Sequence, residues 1–134
     1  MRDVLTKLYS SAPDGYPGDE DNGQTSAWYV FSALGFYPVT PAVGEYAIGS
    51  PLFRTVRMTM PNGKVLTIEA VNNGPKNVYI QSASFNGKPY GKSWLSREAL
   101  QQGGTLRFVM GSTPNKQWAS EQGAAPFSMS APTK

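Results

Sequence analysis

Apolar residues repeat along this chain with two different periods. In the opening MRDVLTKLYS, Val4, Leu5 and Leu8 share one helical face, which predicts a short helix over about residues 2–10. The Pro- and Gly-rich stretch SAPDGYPGDEDNG then breaks regular structure. From Gln24 the helical spacing returns through Ala27, Val30, Phe31 and Leu34, while Trp28, Phe36 and Tyr37 make the remaining faces apolar as well. This predicts a helix over Gln24–Tyr37 that needs burial all round, with Gly35 near its end and Pro38 beyond it as stop signals.

Beyond Pro41 the period falls to two. Val56, Met58 and Met60 alternate with Thr55, Arg57 and Thr59, a turn follows at Pro61-Asn62-Gly63, and Leu66, Ile68 and Ala70 return on the next strand. A second Asn-Gly pair, Asn86-Gly87, joins the run from Asn77 to Phe85 to a segment around Tyr90 and Trp94. Ser96 before Arg97-Glu98-Ala99-Leu100 suggests a single capped helical turn, and Thr105 to Met110 reads as a further strand. The expected fold class is α+β: two N-terminal helices, then an antiparallel sheet or sandwich. Three regions are expected: a helical segment over residues 1–40, an antiparallel β region over 41–120 and a flexible tail over 121–134.

Composition narrows the chemistry. A chain of 134 residues with 40% hydrophobic content supports one modest core. Cysteine and histidine are both absent, which removes disulfides, thiolate metal sites, His-dependent nucleophiles and the usual zinc ligands. Any catalysis here is carboxylate chemistry. Residues 1–50 carry two basic and six acidic side chains, against ten basic and three acidic in residues 51–134. The basic residues, among them Arg54, Arg57, Lys64 and Arg107, are spread singly along strand-like segments, which favours solvated strand faces over a nucleic-acid footprint. No apolar run reaches membrane-spanning length, so neither nucleic acid nor membrane is an expected partner. The opening lacks a signal-peptide core, so the chain is expected either to stay inside the cell or to be an excised piece of something longer.

The stretch GDEDNGQTSAW crowds Asp19, Glu20 and Asp21 between glycines, just ahead of the second helix. Neighbouring carboxylates repel unless water, a cation or a reaction uses them. An EF-hand reading begun at Asp19 fails, because Gly23 falls one position early and Val30 sits where the closing Glu belongs. If the loop is extended, Asp19 and Asp21 point the same way and Glu20 points elsewhere. The pair could then hold a water and accept its proton, with Asp21 kept ionised by the positive end of the helix. A plain structural reading stands beside this one: Asp21 or Asn22 caps the helix and the other acids are solvated.

The run GYPGDEDNGQTSAWYVFSALGFYPVTPAVGEYAIGSPLF, followed in order by NNGPKNVYI, FNGKPY, GGTLRFVMG and TPNKQW, resembles the C-terminal part of the glycoside hydrolase family ninety-two α-mannosidases over about residues 10–118. The resemblance implies an exo-acting, calcium-dependent enzyme that hydrolyses α-linked mannose with inversion, its catalytic site on an (α/α)6 barrel whose last helices lie here. It implies that Asp19 and Asp21 are the general-base carboxylates, that the general acid and most calcium and sugar ligands lie on segments absent from this chain, and that this chain is a fragment binding no calcium of its own. Thr25 stands where many members carry Met, a mild departure. A periplasmic, cell-surface or secreted location and mannose-containing glycans as substrates are implied as well.

Tyr16, on the acidic loop itself, is the candidate substrate contact, whereas Trp28 and Tyr29 read first as core aromatics. Gly18 and Gly23 are expected to permit tight turns, and Gly49-Ser50-Pro51 to turn the chain into the first strand. A fragment keeping the Gln24–Tyr37 helix must cover it with its own β region, with the rest of the parent enzyme or by self-association. The competing function is a non-catalytic carbohydrate-binding or assembly module, which would need Trp94, Trp118 or tyrosines exposed on a sheet face.

Overall fold

A computed structural model describes residues 1–130. Two helices come first: α1 (Arg2–Lys7) and α2 (Gln24–Leu34). Eight strands follow, β1 (Phe36–Tyr37), β2 (Glu45–Ile48), β3 (Thr55–Thr59), β4 (Val65–Val71), β5 (Tyr79–Phe85), β6 (Lys88–Pro89), β7 (Trp94–Ser96) and β8 (Gly104–Gly111), with α3 (Arg97–Gln102) between the last two. The class is α+β. Among the described residues no helix is long and apolar enough to cross a membrane.

Helix α2 ends earlier than its apolar spacing predicts. Gly35 takes a left-handed conformation with φ 104° and donates its N–H to the Phe31 and Ser32 carbonyls, so Phe36 and Tyr37 leave the helix and pair in β1 with Ile48 and Ala47. A side chain at Gly35 would also collide with Pro51, whose Cβ lies 2.9 Å from the position a Cβ would take. Three successive apolar residues could continue a helix or begin a strand, and the glycine decides.

The strands form a three-stranded sheet in the order β1-β2-β7 and a five-stranded sheet in the order β3-β4-β8-β5-β6. Both hairpins are present, β3 with β4 across Pro61-Asn62-Gly63 and β5 with β6 across Asn86-Gly87. The expectation of a purely antiparallel region needs one correction: β4 and β8 run parallel, from Leu66 opposite Gly104 to Val71 opposite Val109. Alternation tells which face of a strand is buried but not which distant strand lies beside it. Leu66, Ile68 and Ala70 of β4 and Leu106, Phe108 and Met110 of β8 are buried, and Phe36 and Leu95 join them from the smaller sheet. One core therefore lies between the two sheets, and Phe31 of α2 packs against its margin. Trp28 turns the other way and stacks on Tyr9. Ser96 caps α3 as its sequence suggests, its hydroxyl accepting the Ala99 N–H at 3.1 Å.

Where a flexible tail was expected from Glu121, the structure seats part of it. Ala124 is buried, its carbonyl accepts both the N–H and the hydroxyl of Ser93, and the Phe127 N–H donates to the Glu45 carboxylate at 2.6 Å. A small apolar residue flanked by free backbone groups can dock where a long polar tail could not. The end of that expected tail, residues 131–134, lies outside the described residues.

A polar clasp joins the helices to the β region. The Arg2 guanidinium donates to Ser50 Oγ, to the Pro51 carbonyl and to Asn73 Oδ1, while Asn73 Nδ2 lies within hydrogen-bonding distance of the Pro51, Leu52 and Phe53 carbonyls. Asn73 is only 4% exposed, so its amide replaces water for groups that would otherwise be stranded. Substituting Asn73→Ala is expected to lower stability by about 2–3 kcal/mol, read as a drop in urea midpoint at unchanged slope. Lys7→Ala, which removes only the exposed 2.9 Å pair with Asp3, is expected to cost less than about 0.5 kcal/mol.

Candidate active site

The acidic loop is built by the needs of the helix it precedes. A helix begins with N–H groups that have no partner within the helix. Here the Asp21 carbonyl accepts the Gln24 N–H at 3.2 Å, the Glu20 carbonyl accepts that of Thr25 at 3.3 Å, and Glu20 Oε1 accepts that of Ser26 at 3.2 Å. The Thr25 hydroxyl adds a bond to the Asp19 carbonyl at 3.0 Å. To fold back this sharply the chain takes three consecutive left-handed residues, Asp21 (φ 48°), Asn22 (φ 60°) and Gly23 (φ 85°), a conformation that Asp, Asn and Gly tolerate best.

Two expectations change as a result. The loop is not extended through Asp21, so Asp19 and Asp21 are not aligned by strand-like alternation. Neither Asp21 nor Asn22 supplies the side-chain cap: Glu20 does, and the first N–H groups of α2 are taken by the loop itself and not left to Asp21. What survives is the division of labour. Glu20 is half-buried and turned inward, while Asp19 and Asp21 are exposed. Glu20 Oε2 is shielded from solvent and has no hydrogen-bond partner among the described residues.

Tyr16 stands beside this loop, 46% exposed, its hydroxyl 2.8 Å from Ser26 Oγ. Behind it lies an aromatic cluster that the sequence did not single out. Tyr9 meets Tyr16 edge-on at 6.0 Å between centroids, stacks on Trp28 at 5.8 Å and leans on Tyr29 at 5.0 Å. Tyr9 was legible only as the end of an amphipathic turn, because its partners lie seven to twenty residues away. Desolvation, then the nearby Glu20 charge and Tyr16, push the Tyr9 phenol above its ordinary pKa. Together these rings and Ser10, Ser11 and Ser26 line a groove of about 590 Å3.

Asp19 and Asp21 do not make a calcium site by themselves. Calcium takes about six to eight oxygen ligands, and among the described residues no three His, Cys, Asp or Glu side chains come together as a metal-holding group. The β-region aromatics are committed to packing: Trp118 Nε1 donates to the Tyr90 carbonyl at 3.0 Å, and the half-buried Trp94 ring is covered by Lys92 Nζ at 4.5 Å from its centroid. Neither offers the open platform that a sugar-binding sheet face requires.

The capping role of Glu20 is directly measurable. Glu20→Ala is expected to cost about 1 kcal/mol and to speed exchange of the Ser26 amide several-fold, whereas Glu20→Gln, which keeps an acceptor oxygen, should preserve most of the protection.

The sequence profile of the glycosyl hydrolase family 92 catalytic domain matches residues 1–112. An uncharacterised secreted glycosidase of the fungus Arthroderma benhamiae is 35% identical over 133 residues, a match covering 97% of this chain and 17% of that protein. A family GH92 α-mannosidase of Bacteroides thetaiotaomicron superposes with a TM-score of 0.90 at 41% identity over 96% of this chain and 17% of its own. A family GH92 inverting mannosidase of the same bacterium superposes with a TM-score of 0.88 at 50% identity, over 95% of this chain and 17% of its own. The chain thus spans about 17% of the length of these relatives. With its helical pair, its paired sheets and its acidic loop matched together, it belongs to the glycosyl hydrolase family 92 catalytic domain.

Proposed function

We propose that this chain carries the water-activating side of an inverting α-mannosidase site, with Asp19 and Asp21 as the general-base carboxylates. The observation that carries the reading is the division within the acidic loop: Glu20 is consumed in capping α2, while its two neighbours are left exposed at the helix start. Similarity to an inverting mannosidase supports the stereochemistry, and similarity to an α-mannosidase supports the substrate.

In such a reaction one carboxylate orients a water and the other takes its proton as the oxygen attacks the anomeric carbon. The glycosidic C–O bond breaks on the opposite face, and a general acid protonates the departing oxygen. Acid and base stand about 6.5–9.5 Å apart, leaving space for the water. Within residues 1–130 the remaining Glu side chains, Glu45, Glu69, Glu98 and Glu121, belong to the β region and α3, and none joins this loop. The acid, and the oxygen ligands a calcium ion needs, would come from segments other than this one. Mannose-containing glycans are the proposed substrates, and a periplasmic, cell-surface or secreted setting accords with the secreted fungal relative. Covering of the outer face of α2, by the remainder of a longer enzyme or by self-association, belongs to the same proposal. The half-buried, packed states of Trp94 and Trp118 count against the binding-module alternative.

The 134-residue chain alone is expected to release no mannose from α-mannosides, with or without added calcium. In an enzyme of family length carrying this sequence, Asp21→Asn should lower kcat by about 100- to 10,000-fold. Full turnover in that variant would remove Asp21 from the base.

A further inference from the structure

The largest recess, about 640 Å3 among Arg54, Glu69, Asn72 and Asn77 at the end of β3 and β4, carries both charges and has no ring face against which a ligand could be held. Another, of about 480 Å3 among Phe31, Phe36, Tyr46, Met58 and Met60, continues the core outward and offers little to orient a ligand. The groove beside the acidic loop differs from both.

At about 590 Å3 it falls within the range of roughly 300–1,000 Å3 common for small-molecule sites. Its walls combine the rings of Tyr9, Tyr16 and Tyr29 with the hydroxyls of Ser10, Ser11 and Ser26, and no charged side chain lines it. A surface made only to receive another helix would be continuously apolar, and one made for an ion would carry the opposite charge. Flat rings with interleaved hydroxyls suit a neutral, polyhydroxylated ring that presents C–H groups on one side and donors and acceptors around its edge. The groove is also held in place. Tyr16 bonds through its hydroxyl to Ser26 Oγ, and the backbone N–H of that same Ser26 is held by Glu20. Groove and acidic loop thus share the first turn of α2.

We propose that this groove holds the glycone, the terminal α-mannosyl ring under attack, and not the sugar that leaves. The inference rests on the reading of Asp19 and Asp21 as the base. In an inverting displacement the water and its base lie on the face of the anomeric carbon away from the departing oxygen, and the leaving sugar extends toward the acid. A contact surface built on the same helical turn as the base therefore meets the attacked ring. Tyr16 is its exposed contact, and Tyr9 supports Tyr16 from behind.

The test is a fluorescence titration of the 134-residue chain, using Trp28, stacked on Tyr9, as reporter. Mannose, methyl α-mannoside and an α-linked mannobiose are the ligands. All three should saturate, with affinities within about twofold of one another, because the groove reads one ring. Tyr16→Ala should weaken binding roughly fivefold or more, and Tyr16→Phe, which keeps the ring, should retain most of it. Thermal melting of both variants establishes that they are folded. Saturation by the disaccharide alone would make this the leaving-sugar side and overturn the proposal. So would an absence of saturation with all three ligands, or a folded Tyr16→Ala chain that binds as tightly as the parent. None of these results bears on the base assignment, which falls only if Asp21→Asn leaves turnover of the longer enzyme intact.

Discussion

The unpaired N–H groups at the start of α2 are the constraint around which the candidate site is arranged. A helix start needs acceptors, and here they are drawn from the loop immediately before it: the Asp21 and Glu20 carbonyls and the Glu20 carboxylate. Meeting that demand forces three left-handed residues in a row and turns one of three adjacent acids inward. The exposure of Asp19 and Asp21 follows from it. A substitution that frees the helix start would therefore disturb both carboxylates without touching either.

The other end of α2 is secured by different means. Gly35 breaks the helix, the Leu52 N–H donates to the Ala33 carbonyl at 2.9 Å, and the Gly49 N–H donates to the Gly35 carbonyl at 2.8 Å. Arg2 and Asn73 fasten α1 to the same Ser50–Phe53 segment. Eleven helical residues, about 16 Å at 1.5 Å per residue, separate this junction from the acidic loop. The β region is thus a mount for the helix pair, with its core sealed between two sheets and its aromatics spent on packing.

Much of this was legible in the sequence, and the failures share a cause. Leu66, Ile68 and Ala70 announced their buried face by alternation, the two Asn-Gly pairs marked both hairpins, and Ser96 marked its cap, because each signal is local. The parallel partnership of β4 with β8 and the seating of Ala124 against Ser93 link residues more than thirty positions apart and leave no periodic trace. Phe36 and Tyr37 satisfied a helical pattern until Gly35 redirected them. Within the site, the acidic triplet itself was conspicuous, but which acid would turn inward was not: the strand-like rule selected the right one for a reason the left-handed backbone does not support. Tyr9 could not be recognised beside Tyr16 because only the fold brings α1 against the start of α2.

The seating of Ala124 has one more consequence. β7 is an outer strand of the three-stranded sheet, and just ahead of it Ser93 gives its backbone N–H to the Ala124 carbonyl. Outer strands present unpaired backbone groups on which another chain can add a strand of its own. By occupying the approach to that margin, the segment around Ala124 acts as a guard against sheet extension between molecules. Its small side chain and lack of regular structure suit the task, since it covers the margin without offering a new one.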